Sequence, residues 1–133
     1  MEDETTEIYS AYDSGISLPV GPYCDKICDD PDGFQIFLRE GGKDKPIYKV
    51  IFQQPVLAYR NSDEGKRLKS LHLVQGKIAT CIFTVGNSQF LKWFNEESLG
   101  IYSDLNIKHF AILTQEDFLD VLDTDNPAIH IIE

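Results

Sequence analysis

The stretch from Ile78 to Leu122 constrains the fold most, because it alternates twice between a β-favouring apolar run and a run with helical periodicity. Ile78 to Val85 is rich in β-branched and aromatic residues and is bounded by Gly76 and Gly86, which suits a central strand. Asn87 or Ser88 then offers a cap that accepts from backbone amides, and Gln89 to Ser98 follows as a helix. Its rings Phe90, Trp93 and Phe94 stand at i, i+3 and i+4 and are expected to face the core together. Burial of each would contribute roughly 2 to 3 kcal/mol. The alternation recurs, with Lys108 to Leu113 as a strand and Thr114 to Leu122 as a second amphipathic helix. Thr114 and Asp117 have the T-x-x-D spacing of a capping box variant, and Phe118, Val121 and Leu122 form the apolar stripe. Glu116, Asp120 and Asp123 fall at i, i+4 and i+7 on the other side. Asn126-Pro127 ends this helix, and Ala128 to Ile132 supplies a short last strand.

Upstream, Phe34 to Arg39 and Ile47 to Phe52 flank the turn Gly41-Gly42-Lys43-Asp44 and predict a β-hairpin. The double glycine belongs to that turn, since no phosphate-loop spacing surrounds it. Pro55 interrupts the ladder before a short strand at Val56 to Tyr59. Asn61-Ser62-Asp63-Glu64 resembles a helix start, with Leu68 and Leu71 as its apolar edge. Arg60, Lys66, Arg67 and Lys69 make the densest basic patch, either a solvated helix face complementing its own dipole or a contact for an anion. Gly15, Pro19, Gly21, Pro22 and Pro31 break any helical stripe in residues 1 to 32, although Glu7-Ile8-Tyr9 and Ile16-Ser17-Leu18 could each extend. The expectation is one α+β domain over residues 1 to 133. It has a mostly antiparallel sheet of about five or six strands, about three short helices, and an irregular acidic segment at 1 to 32.

Charge narrows the partners. The formal balance is −10, and it is unevenly spread: residues 1 to 32 and 93 to 133 each carry nine acids and one base, whereas residues 33 to 92 carry four acids and ten bases. Nucleic acids and anionic membranes are bound chiefly through Lys and Arg, so this balance disfavours both and favours a basic partner, a cation, or solubility alone. No apolar stretch reaches the ~18 to 20 residues needed to span a bilayer, and Met1-Glu2-Asp3-Glu4 lacks the regions of a signal peptide, so a cytoplasmic protein is expected.

Chemistry-bearing patterns are sparse. Cys24, Cys28 and Cys81 are an odd number in a chain large enough to fold without staples, and reduced thiols are expected. The C-x3-C spacing of Cys24 and Cys28 lacks further ligands nearby, so neither a metal nor another cofactor is expected. His72, His109 and His130 stand singly, and no serine occupies a G-x-S-x-G elbow. His109 and His130 are expected as satisfied core or surface histidines. No catalytic residue is assigned, and the chain is not expected to be an enzyme. One local inconsistency stands out in the last helix: Asp120, Asp123 and Asp125 lie in or beyond its final turns, where the negative end of the dipole disfavours each by ~0.3 to 1 kcal/mol. A basic partner would turn that cost into attraction. Hydration, or pairing with the central basic segment, would also relieve it.

The run Trp93-Phe94-Asn95-Glu96-Glu97-Ser98-Leu99-Gly100-Ile101-Tyr102, followed by Lys108-His109-Phe110-Ala111-Ile112 and the expected acidic helix with its Asn126-Pro127 exit, resembles the C-terminal half of small bacterial proteins found beside polymorphic toxins. Over about a third of its length the chain is similar to immunity proteins of contact-dependent inhibition systems. That resemblance implies a bacterial cytoplasmic inhibitor that binds the C-terminal domain of one cognate toxin, often a nuclease, and blocks it. An acidic surface could occupy the site where a nuclease presents Lys and Arg to phosphates, and would gain steered association. The contact residues expected are Glu116, Asp120, Asp123 and Asp125, then Glu96 and Glu97, with Tyr102 as an aromatic anchor. Two alternatives are an acidic mimic of nucleic acid that inhibits a DNA-binding protein, and a small enzyme using Cys24 or Cys28 with a histidine.

Overall fold

The computed structural model describes residues 6–42, 44–52, 55–74 and 80–132. Within them the elements run β1 (Ile8–Ala11), β2 (Tyr23–Asp30), β3 (Gly33–Arg39), β4 (Ile47–Phe52), β5 (Ala58–Asp63), a 3-10 turn (Glu64–Lys66), α1 (Leu68–Val74), β6 (Ile82–Gly86), α2 (Gln89–Glu97), β7 (Lys108–Leu113), β8 (Asp117–Asp123) and β9 (Ala128–Ile132). The class is α+β. Among the described residues nine strands form two antiparallel sheets, one in the order β1-β6-β7-β8-β5 and the other β2-β3-β4-β9. The expected single sheet of five or six strands is therefore two sheets, and two α-helices and a 3-10 turn stand in place of about three helices.

The sheets pack face to face. Phe34, Ile36 and Leu38 of β3 and Tyr48, Val50 and Phe52 of β4 alternate inward from one sheet. They meet Ile82, Phe110, Ile112, Leu119 and Val121 from the other. The five-stranded sheet is covered on its second face too. There Tyr9, Phe83, Val85, Ala111, Leu113 and Phe118 pack with Val74, Leu71 and Leu73 of α1, and Leu122 packs with Phe90 and Phe94 of α2. A sheet buried on both faces gives strands that are nearly continuous in apolar residues, rather than alternating ones.

That double burial explains the largest correction. Thr114 to Leu122 is not a helix: Thr114 closes a hairpin and β8 follows. Thr114 Oγ1 accepts from the Asp117 amide at 2.9 Å, the bond expected of a cap, but the Thr114 amide donates to the Asp117 carbonyl at 3.0 Å and turns the chain back onto β7. The same side-chain-to-backbone bond serves a helix start and a tight turn. The stripe Phe118, Val121, Leu122 fits helical spacing only because both faces of β8 are buried, Phe118 and Leu122 toward the helices and Val121 toward the opposite sheet.

Three smaller corrections follow. The region 1 to 32 holds β1 and the eight-residue edge strand β2, whose Asp30-Pro31-Asp32-Gly33 is a hairpin turn with the Asp32 amide donating to Asp30 Oδ1 at 2.8 Å and Gly33 at φ 114°. The Asn61–Glu64 helix start is the end of β5, and Asp63 Oδ1 accepts from the Gly65 amide to cap the 3-10 turn. Trp93 does not join the core: it is 50% exposed beside buried Phe90 and Phe94. The hairpin β3–β4, helix α2 with Ser88 as its cap, and strands β7 and β9 stand where the residue pattern puts them. Of the other expected positions, Met1 to Glu4, Lys43 of the hairpin turn, and Gly76, Ile78 and Ala79 before β6 lie outside the described residues. Among the described residues no helix is long and apolar enough to cross a membrane.

Candidate functional site

Between the five-stranded sheet and its helices lies a chain of polar side chains centred on Asp120. Asp120 points out of β8 toward the helices and is 0% exposed. Its Oδ2 accepts from Arg60 Nε at 2.8 Å and from Arg67 Nη1 at 2.6 Å, while its Oδ1 stands 2.6 Å from His109 Nε2. Register places these groups together, since Arg60 of β5 and Ala111 of β7 both pair with Asp120, and His109 lies two residues from Ala111 on the same face. Arg67 Nη2 continues the chain to Ser70 Oγ at 3.1 Å. Ser88 Oγ lies 2.6 Å from His109 Nδ1 and accepts from the Leu91 amide at 2.9 Å. Each guanidinium also covers a ring, Arg60 over Phe90 at 4.4 Å and Arg67 over Phe118 at 4.3 Å.

Burial alone would raise the Asp120 pKa. The hydrogen bond and charge of His109 and those of Arg60 outweigh it and hold the carboxyl at about 2. An ionised Asp120 accepts from His109 Nε2–H, which assigns that nitrogen as the donor. Ser88, His109 and Asp120 thus form a hydrogen-bonded Ser-His-Asp string, the residue types of an acyl-transfer triad. The serine, however, is a helix cap covered by protein, and Phe90 packs edge-on against His109 at 5.8 Å. A nucleophile must reach a substrate carbonyl, and a covered cap oxygen does not. The string ties α2 to the sheet.

The thiols are also poorly placed for nucleophilic work. Burial, with Asp117 nearby, pushes Cys24 up to about 11, and the hydrogen bond to Asp30 raises Cys28, so both are held as thiols near neutral pH. Burial pushes Cys81 up to about 12. Among the described residues no group of three or more His, Cys, Asp or Glu could hold a metal ion.

No protein-family model, curated protein or solved structure matches the chain. Its own geometry therefore has to carry the functional argument, beginning with the seven residues expected at a partner surface.

The structure divides those seven. Asp120 is internal and already paired with the chain's own arginines. Asp123 is buried at the end of β8, with Oδ1 accepting from the Thr124 amide at 2.8 Å; burial, then Asp125, raises its pKa. Glu116 is exposed at the β7–β8 turn, at the other end of a strand spanning roughly 20 Å. Because β8 is a strand, Glu116, Asp120 and Asp123 do not line one helix face, and Asp120, Asp123 and Asp125 meet no helix dipole there. Glu96, Glu97, Tyr102 and Asp125 remain exposed. They belong to one end of the sheet, because Lys108, which follows the loop after α2, pairs with Asp123.

That loop, residues 98 to 107, carries the feature that residue patterns missed. Helix α2 ends in a Schellman arrangement, with the Gly100 amide donating to the Asn95 carbonyl at 2.9 Å and the Leu99 amide to the Glu96 carbonyl at 3.1 Å. Leu99 takes the left-handed position, φ 55°, where glycine is usual. It is 88% exposed, and Ile101 is 72% exposed. Leu105 is exposed as well, while Tyr102 packs its ring 5.5 Å from Phe94 and fixes the loop to the helix. Around these apolar side chains stand exposed Glu96, Glu97 and Asp104. The available signal was an apolar set, Leu99, Ile101 and Leu105, spread through Gly, Ser, Asp and Asn with neither helical nor strand periodicity.

Proposed function

We propose that this chain is a binding protein of the immunity type, which docks a cognate basic toxin domain, a nuclease in the leading reading, on the loop 98 to 107 and the end of α2. The observation that carries it is Leu99. A leucine in left-handed backbone costs ~1 to 2 kcal/mol, and an exposed one regains nothing from its own fold. Ile101 and Leu105 extend it into an apolar centre that a partner would desolvate, and Tyr102 supplies an anchor held by Phe94. Exposed Glu96, Glu97 and Asp104 in the same segment, and exposed Asp125 just beyond β8, add negative charge in a chain of net −10, which favours a basic partner and fast encounter. The sequence resemblance to immunity proteins, mainly over residues 93 to 127, includes this segment and adds the toxin as the kind of partner. A nucleic-acid mimic would need an unbroken acidic face. On the outer side of the four-stranded sheet Lys26 and Lys49 both reach over Phe37 and interrupt the acids of β2.

The test is coexpression with the C-terminal domain of the toxin encoded beside this chain, with growth rescue and affinity of the purified pair as readouts. Leu99→Asp and Glu96→Lys with Glu97→Lys are expected to weaken binding by ~10-fold or more and to abolish rescue, with thermal unfolding unchanged. Full rescue by all of these variants would reject this surface. Absence of any complex would reject the immunity reading.

A further inference from the structure

A second site opens on the opposite side of Phe90 from the core. It is a cleft of about 300 Å³ between β5 and α2, lined by Tyr59, Arg60, Phe90 and Trp93. Phe90 and Trp93 stack with centroids 5.6 Å apart and planes 16° apart, and Trp93 and Tyr59 are both about half exposed. Tyr59 turns its ring onto Phe34 at 4.5 Å on the other face of β5, so the rings of Trp93 and Phe90 and the Arg60 guanidinium make the wall.

Arg60 is unusual in how its charge is used. The single carboxylate of Asp120 faces two guanidiniums. Arg67, with a side chain only 13% exposed, is consumed by the interior through Asp120 and Ser70. Arg60, 40% exposed, gives only Nε to Asp120, and no hydrogen bond among the described residues engages its Nη nitrogens. Asp120 on one side and the Phe90 face below hold the guanidinium in place, so little rotamer freedom is left to lose on binding. One positive charge is left uncompensated at an aromatic cleft, within a protein that is otherwise strongly acidic.

We propose that this cleft binds a small planar aromatic carboxylate, with the ring against the half-exposed Trp93, which buried Phe90 backs, and the carboxylate on the Nη fork of Arg60. Carboxylate geometry matches that fork in a bidentate pair, which is stronger than a neutral hydrogen bond. Flat aromatic walls select a flat apolar body. The volume sits at the low end of small-molecule sites and fits one or two fused rings. The chain's net charge of −10 repels polyanions, so a monoanion is favoured over a nucleotide. The site is independent of the toxin-binding surface and does not depend on it.

The chain's single tryptophan, Trp93, is the reporter. The indole N–H resonance of the intact protein is followed while 2-naphthoate, its neutral isostere 2-naphthalenemethanol, or phenyl phosphate is added. A saturable shift with 2-naphthoate is expected, at least ~10-fold tighter than with the alcohol. Arg60→Lys is expected to remove that preference, leaving the alcohol unchanged. Isothermal titration of Trp93→Ala, altered only at a half-exposed ring, is expected to show both ligands weakened while its unfolding midpoint is kept. Equal binding of naphthoate and the alcohol, no saturation at roughly 10 mM, or tighter binding of phenyl phosphate than naphthoate would each overturn the proposal.

Discussion

The layer between the five-stranded sheet and its helices and the loop at the end of that sheet depart from the usual partition of polar and apolar groups in opposite senses. In the first, an aspartate, two arginines, a histidine and a serine are drawn together, with Asp120 fully buried. In the second, a leucine and an isoleucine stand more exposed than any other large apolar residues among those described. The buried charges are mutually satisfied, so the first departure is closed within the fold. The exposed side chains have no such closure, and the backbone of Leu99 is strained as well. The satisfied irregularity ties elements together, and the unsatisfied one is where the docking surface is proposed.

The comparison can be broken most forcefully at Asp120. Asp120→Asn removes the charge that holds Arg67 and Arg60, and breaking a buried pair from one side costs about 3 to 5 kcal/mol. Urea unfolding of the variant checks this, and a loss below about 1 kcal/mol would remove the network from its structural role. A second test uses acid. The folded pKa of Asp120, about 2, lies below its ordinary 3.8, so its stabilisation is complete above about pH 4 and disappears as pH falls through 2. On the order of 2 kcal/mol should be lost across that window, and Asp120→Asn should lack this component of the pH dependence. Ser88→Ala deletes both the α2 cap and the link to His109 and is expected to cost ~1 to 2 kcal/mol by thermal unfolding. Leu99→Gly should do the reverse, leaving stability equal or raising it by up to ~1 kcal/mol through relief of the left-handed strain, while partner affinity falls. A clear loss of stability in that variant would show that Leu99 belongs to the fold and not to a docking surface.

Residue patterns gave a partial view of the same two regions. Helix α2 was legible because cap, stripe and length agree, and strands β3, β4, β7 and β9 because their apolar runs are short and punctuated. Glu96, Glu97 and Tyr102, expected at a partner surface, are exposed. Strand β8 was not legible. Thr114 and Asp117 make a bond common to helix caps and hairpin turns, and a strand buried on both faces carries apolar residues at every spacing, helical ones included. Asp120 was misplaced with it, because its partner Arg60 is sixty residues away and only the pairing of β5 with β8 brings them together. Edge strand β2 was hidden by its own acids, which suit an exposed strand edge and disfavour strand assignment. Trp93 showed the limit of spacing in another way: i, i+3 and i+4 put it beside Phe90, but α2 lies near the sheet's edge strand, so its outer flank meets solvent.

The sequence by itself determined the class, the acidity, the cap of α2 and most short strands, because each depends on residues within a few positions of one another. Tertiary structure alone decided that one sheet would be covered on both faces. That covering turned Asp120 from a surface charge into an internal ion-pair centre and left the Arg60 Nη nitrogens with no hydrogen bond among the described residues. These outcomes depend on which strands pair and which faces are sealed, a matter of contacts far apart in the chain, and no local spacing encodes it.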